Sequence, residues 1–388
     1  MSDAPARGFA VSEYEARTAR AQDLMAQQEI SGLFLMTEPE VRYFSGFLTP
    51  FWQSPTRPWY LFVPATGKPV AIIPEIGADL MRRSWLDDIR TWAAPSPADD
   101  GISLLVDLLT PFAQRGEKIG VLKGHETGLR MPLGDYERLI SALPGLNIAD
   151  ATGLVRNLRM VKSEAEIEKI AHICGIGSRG FACLPDIAKR GLPFDQLFRE
   201  FRKVLLDEGA DDVPYLVGGA AAGGYTDVIS PPSNRPLSDG DVVMLDTGSV
   251  WDGYFCDFDR NISIGPADNA SCRAHDVLWR ATEAAINAVK PGMTCRDLFH
   301  VMKNVISELD DKGGDIGRFG HGLGMQLTEW PSIAAFDDTV IQENMVLTLE
   351  PSLSYGDGRA MAHEENIVVR AHGAELLTTR AAPELPEV

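Results

Sequence analysis

The stretch DVVMLDTGSVWDGYFCDFDR, residues 241–260, carries acidic side chains where apolar ones are expected. Asp246 closes the apolar run Val242 to Leu245, which reads as a buried strand. After a turn at Asp252-Gly253, a second strand is expected through Tyr254 to Asp259, and alternation would turn Asp257 and Asp259 to the same side. Three later stretches also carry polar residues in unexpected places. His321 lies between glycines in RFGHGLGM, Glu350 ends the apolar run of MVLTLEPS just before a proline, and Glu364 opens EENIVV with Glu365 on the opposite face. Singly, each has an ordinary explanation: a satisfied core histidine, a solvated strand end, a polar hairpin. Together, two Asp, one His and two Glu make an oxygen-rich set with a single imidazole and no thiolate. Burying carboxylates near one another is unfavourable unless a cation or hydrogen bonds compensate them. The donor set suits a pair of Mn, Fe, Co or Zn ions bridged by carboxylates, and such a pair acidifies water and polarises a carbonyl. Hydrolysis of an amide or a related bond is the chemistry implied.

The elements that must hold these residues are legible in outline. Ser12 to Gln28 has helical periodicity, and Leu33 to Met36 follows as a strand. Trp59 to Val63, the turn at Thr66-Gly67 and Val70 to Ile73 read as a β-hairpin. The aromatic cluster Tyr43, Phe44, Phe47, Phe51, Trp52, Trp59 and Tyr60 reads as core, although its Pro-rich loop, Thr49 to Pro58, is long for a compact domain. A helix over Ile102 to Thr110, a strand over Lys118 to Leu122, a helix near Tyr136 to Leu143 and a strand near Leu146 to Ala149 complete an α/β N-terminal domain with no Gly-rich phosphate loop. Ser163 and Glu166 form a capping-box pattern that opens a long helix, so the boundary is placed near Asn157, giving domains 1–156 and 157–388.

The second half contains an echo of itself. GLPFDQLFREFRKVLLDEGADD from Gly191 and GMTCRDLFHVMKNVISELDDKG from Gly292 each combine a turn, an Asp, a Leu-Phe pair and an amphipathic helix, and each follows a helical segment. Two related helical units separated by strands predict an α+β domain with pseudo-two-fold symmetry, whose central site draws ligands from both halves.

The chain of 388 residues is 45% hydrophobic, enough for a sizeable core, and carries a formal charge of −19. Nucleic acid and anionic membrane need a basic surface and are not expected as partners. The five cysteines form no CxxC pair and read as free thiols. A signal segment and a membrane span are not apparent, so a cytoplasmic location is expected.

LDTGSVWDGYFCDFDR, GHGLG, LEPS and EENIVV, in this order, resemble the metal-binding motifs of the pita-bread superfamily: prolidase, aminopeptidase P, methionine aminopeptidase and creatinase. RYFSGF with its hairpin is similar to the creatinase-type N-terminal domain, and LRMVKSEAEIEKI to that family's entry into the second domain. The resemblance implies that Asp246 and Glu364 hold one metal with Asp257 bridging, and that His321 and Glu350 complete the other. Glu364 or Glu350 could bridge as well, and Glu350 would be the general base. It also implies a homodimer acting on a small molecule or short peptide, of the Xaa-Pro dipeptidase or aminopeptidase P type. The chain departs from the pattern at three points. Thr328 in QLTEWP stands where peptidases of this superfamily carry a second histidine, and no histidine precedes Asp246 in YTDVISPPSNRPLSDGD. Asp259 stands where Ser or Thr is usual. Losing both histidines predicts weaker oxyanion and leaving-group assistance, each typically worth roughly a hundredfold or more. Thr328 and Asp259 are therefore further candidate catalytic residues. The alternative is a small-solute enzyme of the same fold, similar to ectoine hydrolase, creatinase or the dimethylsulfoniopropionate lyase.

Overall fold

The computed structural model describes residues 4–54, 57–309, 317–356 and 358–388. Contacts gather the chain into one compact unit over Ala6–Arg159 and a second over Met160–Val388.

The first unit opens with helix α1 (Val11–Gln27), which buries Tyr14, Ala21 and Met25, followed by strand β1 (Ile30–Leu35) and helix α2 (Glu38–Ser45). The expected hairpin forms as β2 (Tyr60–Pro64) and β3 (Val70–Pro74). It is followed by the short α3 (Ala78–Met81), β4 (Asp88–Trp92), α4 (Ile102–Gln114), β5 (Lys118–Val121), α5 (Leu133–Ala142) and β6 (Asn147–Asp150). The six strands make one mixed sheet in the order β4-β3-β2-β1-β5-β6. Phe34, Tyr60, Phe62 and Ile72 pack with Leu105, Leu109 and Leu139 from the helices as its core. Tyr43, Phe44, Phe47, Trp52, Trp59 and Tyr60 are buried, as a core reading requires, while Phe51 is exposed. The long loop is partly ordered by Arg130, which donates to the Trp52, Ser54 and Arg57 carbonyls. Residues 55–56 of that loop lie outside the described residues.

The first unit ends in α6 (Thr152–Met160), and the second begins with α7 (Glu164–Ala182), opened by the reciprocal Ser163–Glu166 capping box. The short α8 (Leu184–Ile187) and α9 (Phe194–Asp207) follow, then β7 (Asp212–Ala222), β8 (Asp241–Trp251), β9 (Tyr254–Phe255) and β10 (Phe258–Ser263). Next come α10 (Asn269–Ala288), α11 (Cys295–Ile306), β11 (His321–Gly322), β12 (Glu329–Ser332) and β13 (Val346–Leu349). Strands β14 (Ser352–Tyr355), β15 (Arg359–Ala362), β16 (Glu365–Arg370) and β17 (Gly373–Leu376) complete the order. One sheet runs β10-β8-β7 with β9 on β8, another runs β12-β11-β13-β16-β17, and β14 pairs with β15.

The internal echo is structural. Gly191 and Gly292 each precede a helix by three residues, and their amides donate to Leu237 and Ile341 respectively. Those two residues return the bond to Leu192 and Met293, and the bridges Pro193–Pro236 and Thr294–Val340 occupy matching places. The same turn is built twice, which is the pseudo-two-fold predicted from the sequence. Residues 310–313, the end of the second copy, lie outside the described residues.

One expectation is corrected. The strand expected through Tyr254–Asp259 is interrupted at Cys256 and Asp257. The Asn366 side chain accepts from the Asp257 amide at 3.0 Å and donates to its carbonyl, replacing the ladder bonds and freeing Asp257 from strand alternation.

Candidate metal centre

Strand register brings the acidic residues together. On β8 and β10, Asp246 lies directly opposite Asp259. Pairing of β13 with β16 ends at Leu349 opposite Glu365, so Glu350 and Glu364 meet one step beyond the ladder. His321 enters beside them because its flanking glycines allow close backbone approach. A Cβ on Gly320 would lie 2.2 Å from the Thr348 carbonyl oxygen, and one on Gly322 would lie 2.4 Å from that of Trp330.

The five side chains fall into two triads that share Asp257. Asp257, His321 and Glu350 form one, and Asp246, Asp257 and Glu364 form the other, with donor atoms within 4.8 Å of one another in each. His321 Nε2 lies 2.7 Å from Glu350 Oε1 and 3.3 Å from Asp257 Oδ2. Its Nδ1 lies 2.8 Å from the Gly322 carbonyl oxygen. Thr348, fully buried, donates its hydroxyl to Glu350 Oε1 and accepts from the His321 amide, so one side chain sets the positions of two members.

The electrostatics follow from this crowding. Burial, then the Asp257, Asp259 and Glu350 charges, pushes Asp246 well above the usual carboxylate range. Glu364 is pushed up in the same way by burial and by Asp246. Burial raises Asp257 to about 6 although His321 opposes it. Glu350 ends below its ordinary value, because the His321 imidazole and the Thr348 hydroxyl outweigh its burial. For His321, burial opposes protonation, but Glu350 and Asp257 overcome it and push the ring up to about 10. Asp246 Oδ1 is buried without a hydrogen-bond partner. A buried, unpartnered carboxylate oxygen among other carboxylates is stabilised by a cation, so these residues fit divalent ions.

Thr328 and Asp259 lie at the edges of the cluster. The exposed Thr328 brings its hydroxyl to 3.5 Å from His321 Nε2. Asp259 stands outside both triads; it accepts from the Glu364 amide at 2.9 Å and from Asn261 Nδ2 at 3.3 Å. Burial raises it to about 7 against the pull of Arg260. Tyr225, a polar neighbour in the sequence, is a brace: its hydroxyl donates to Asn261 and accepts from the Ala362 amide. Glu329 pairs with Lys162 at 3.2 Å.

Sequence reading missed Tyr215, Thr348 and Asn366. The Tyr215 hydroxyl donates to Asp246, and burial and the surrounding carboxylates hold its ionisation far above the ordinary phenol range. Val217 is opposite Asp246 in the register, so Tyr215, two residues away on the same face, reaches the carboxylate diagonally. The signal for Thr348 was a hydroxyl inside the apolar run MVLTLEPS.

Residues 168–371 match the model of metallopeptidase family M24, and residues 17–161 match the creatinase/prolidase N-terminal domain. The chain belongs to metallopeptidase family M24. Over 370 residues this M24 chain is 28% identical to the probable dipeptidase PepE of Mycobacterium bovis, covering 94% of this chain and 93% of that one. The crystal structure of dipeptidase PepE from Mycobacterium ulcerans, 26% identical, matches with a TM-score of 0.83 over 98% of this chain and 99% of that one. A prolidase from Thermococcus sibiricus, 22% identical, shares the fold with a TM-score of 0.85 over 97% and 99% of the two chains. The pita-bread architecture and the creatinase-like N-terminal domain are thus established, and the chain is a metal-dependent hydrolase of the peptidase type.

Proposed function

We propose that this M24 peptidase holds two divalent ions and cleaves Xaa-Pro dipeptides or short Xaa-Pro peptides. The observation that carries the proposal is the pair of triads sharing Asp257. In this reading Asp246 and Glu364 belong to one ion, His321 and Glu350 to the other, and Asp257 to both. The ions, of the Mn, Fe, Co or Zn group, supply an acidified water and a polarised carbonyl.

The chain's own residues supply the proton transfers and orientation. Glu350, whose Oε1 accepts from Thr348, takes a proton from the attacking water and returns it to the leaving amine. The exposed Thr328 hydroxyl, beside His321, donates to the substrate carbonyl oxygen in place of a histidine. Asp259 orients Glu364 through its amide, and Tyr215 orients Asp246. Names of the M24 relatives, dipeptidase PepE above all, support a dipeptide substrate. The assembly is proposed to be a homodimer in the cytoplasm; among the described residues no helix is long and apolar enough to cross a membrane. Sedimentation at micromolar concentration tests the dimer, and a single 42.3 kDa species would exclude it.

Thr328 in a histidine's place also supports the second reading, a small-solute enzyme of the same fold. One assay separates the two. Protein reconstituted with Mn, Co, Zn or Fe is offered an Xaa-Pro dipeptide, a longer Xaa-Pro peptide, ectoine and dimethylsulfoniopropionate, with an EDTA control. Metal-dependent cleavage of a peptide is expected; inert peptides with turnover of a solute would replace the first reading by the second. Asp257→Ala is expected to lower bound metal below one ion per chain and activity by at least a thousandfold, with circular dichroism unchanged. Full metal occupancy in that variant would remove the assignment of Asp257.

A further inference from the structure

The members of the two triads come from two sheets. Asp246 lies on β8 and Asp257 between β9 and β10, whereas His321 lies on β11 and Glu350 and Glu364 flank the pairing of β13 with β16. A carboxylate shared by both triads must therefore be held between the sheets. Asn366, fully buried on β16 two residues beyond Glu364, is placed to do so. Its backbone is fixed in its own sheet: it lies opposite Thr348 on β13, and its carbonyl accepts from the Leu377 amide at 2.9 Å. Its side chain crosses to Asp257, accepting from the Asp257 amide on Oδ1 at 3.0 Å and donating from Nδ2 to the Asp257 carbonyl. The neighbours of Asp257 stay with the first sheet, since the Cys256 amide donates to Ser249 at 3.1 Å and Phe258 lies opposite Thr247 on β8. Asp257 gives both of its backbone groups to the other sheet.

The residue type matters here. A side-chain amide offers a donor and an acceptor side by side, the pattern that a peptide group presents in an antiparallel ladder. An aspartate would set a second acceptor against the Asp257 carbonyl, and an aliphatic side chain would leave both backbone groups unmet. Cys174 on α7, also fully buried, donates its thiol to the same Oδ1 at 3.3 Å, which fixes the end of the amide that faces the Asp257 N–H. We propose that Asn366 is a positioning residue for both metal sites, its side-chain amide fixing Asp257 between the triads and Cys174 fixing the amide. The inference rests on the two-ion reading and adds to it the group that lets one carboxylate serve both ions.

The test is calorimetric titration of the EDTA-stripped full chain with Mn, for which the native protein is expected to take up two ions. Asn366→Leu keeps the size and removes both bonds, so it is expected to weaken both sites together by about tenfold or more, with circular dichroism unchanged. With Mn saturating both sites, its kcat on an Xaa-Pro dipeptide is expected to stay about tenfold to a hundredfold below native, with KM little changed because Asn366 does not meet the substrate. Cys174→Ala is expected to weaken both sites by a smaller factor, and Cys174→Ser, which keeps a donor to Oδ1, to restore them. Uptake of fewer than two ions by the native protein would remove the two-ion reading and this inference with it. Two ions in the native protein with unchanged affinities in Asn366→Leu, or with only one site weakened, would overturn the inference alone. A native kcat in the loaded variant would do the same. Where Asn366→Leu does not fold, the Cys174 pair decides: equal Mn affinities in Cys174→Ala and Cys174→Ser would overturn the proposal.

Discussion

Asp246 and Asp259 stand directly opposite each other on neighbouring strands, an arrangement of like charges that ordinarily weakens a sheet. The chain manages them by giving each separate partners: the Tyr215 hydroxyl for Asp246, and the Glu364 amide and Asn261 for Asp259. Tyr215→Phe removes only the hydroxyl, so a drop of about tenfold to a hundredfold in kcat with an unchanged fold is expected. Unaltered kcat in steady-state assays would mean that Asp246 needs no orienting donor. A second prediction concerns protein stripped of metal by EDTA. Asp257 and Asp259 then titrate at about 6 and about 7 in the fold, against about 3.9 in the unfolded chain. Between those values the folded state holds more protons, so stability falls as pH rises from about 4 to about 7. His321, at about 10 against about 6.5, contributes stability that is complete below about 6.5 and lost as pH rises toward 10. Both trends run the same way. The melting temperature of the stripped protein is therefore expected to fall between pH 5 and pH 9 in scanning calorimetry, and a rise would contradict the assignments.

At the scale of elements, the site depends on backbones that pack unusually close. β11 is only two residues long, yet it carries His321 against both β12 and β13. Gly322→Ala would place a methyl 2.4 Å from a carbonyl oxygen, and that neighbour is backbone rather than a mobile side chain. The variant is expected to lose about 1–3 kcal/mol by overpacking, and metal affinity with it as His321 shifts. Urea denaturation with metal analysis checks both. Native stability would show that β11 can slide without cost. Ser163 at the head of α7 offers a control: Ser163→Ala loses the capping box and about 1 kcal/mol, with metal content unchanged.

The whole molecule joins two compact units, of which only the second carries both triads. Ligands that bind the folded state alone raise its stability by about 2.7 kcal/mol at a hundred times Kd. For a unit of this size that corresponds to a rise of roughly 5–10 °C in melting temperature. Saturating Mn or Zn is expected to move the transition of the second unit by that amount and to leave the first unmoved. A uniform shift of both would point to metal held elsewhere or to units that melt together.

Much of this was legible in the sequence because strand burial makes carboxylates conspicuous. Asp246 and Glu350 end apolar runs, and His321 sits between glycines, so each breaks a local pattern that can be read without a fold. The duplicated turn at Gly191 and Gly292 was legible for the same reason, since its residues repeat in order. Tertiary structure decided what local pattern does not encode. The grouping of four side chains around Asp257 depends on two separate strand pairings, β8 with β10 and β13 with β16, being brought side by side, where Asn366 bonds the Asp257 backbone across 109 positions of the chain. Tyr215 becomes a partner of Asp246 only through the pairing of β7 with β8, and Asn366 breaks the strand at Asp257 only once β16 lies beside it. A chain specifies which residues are chemically out of place, but proximity between distant segments is set by packing the whole core.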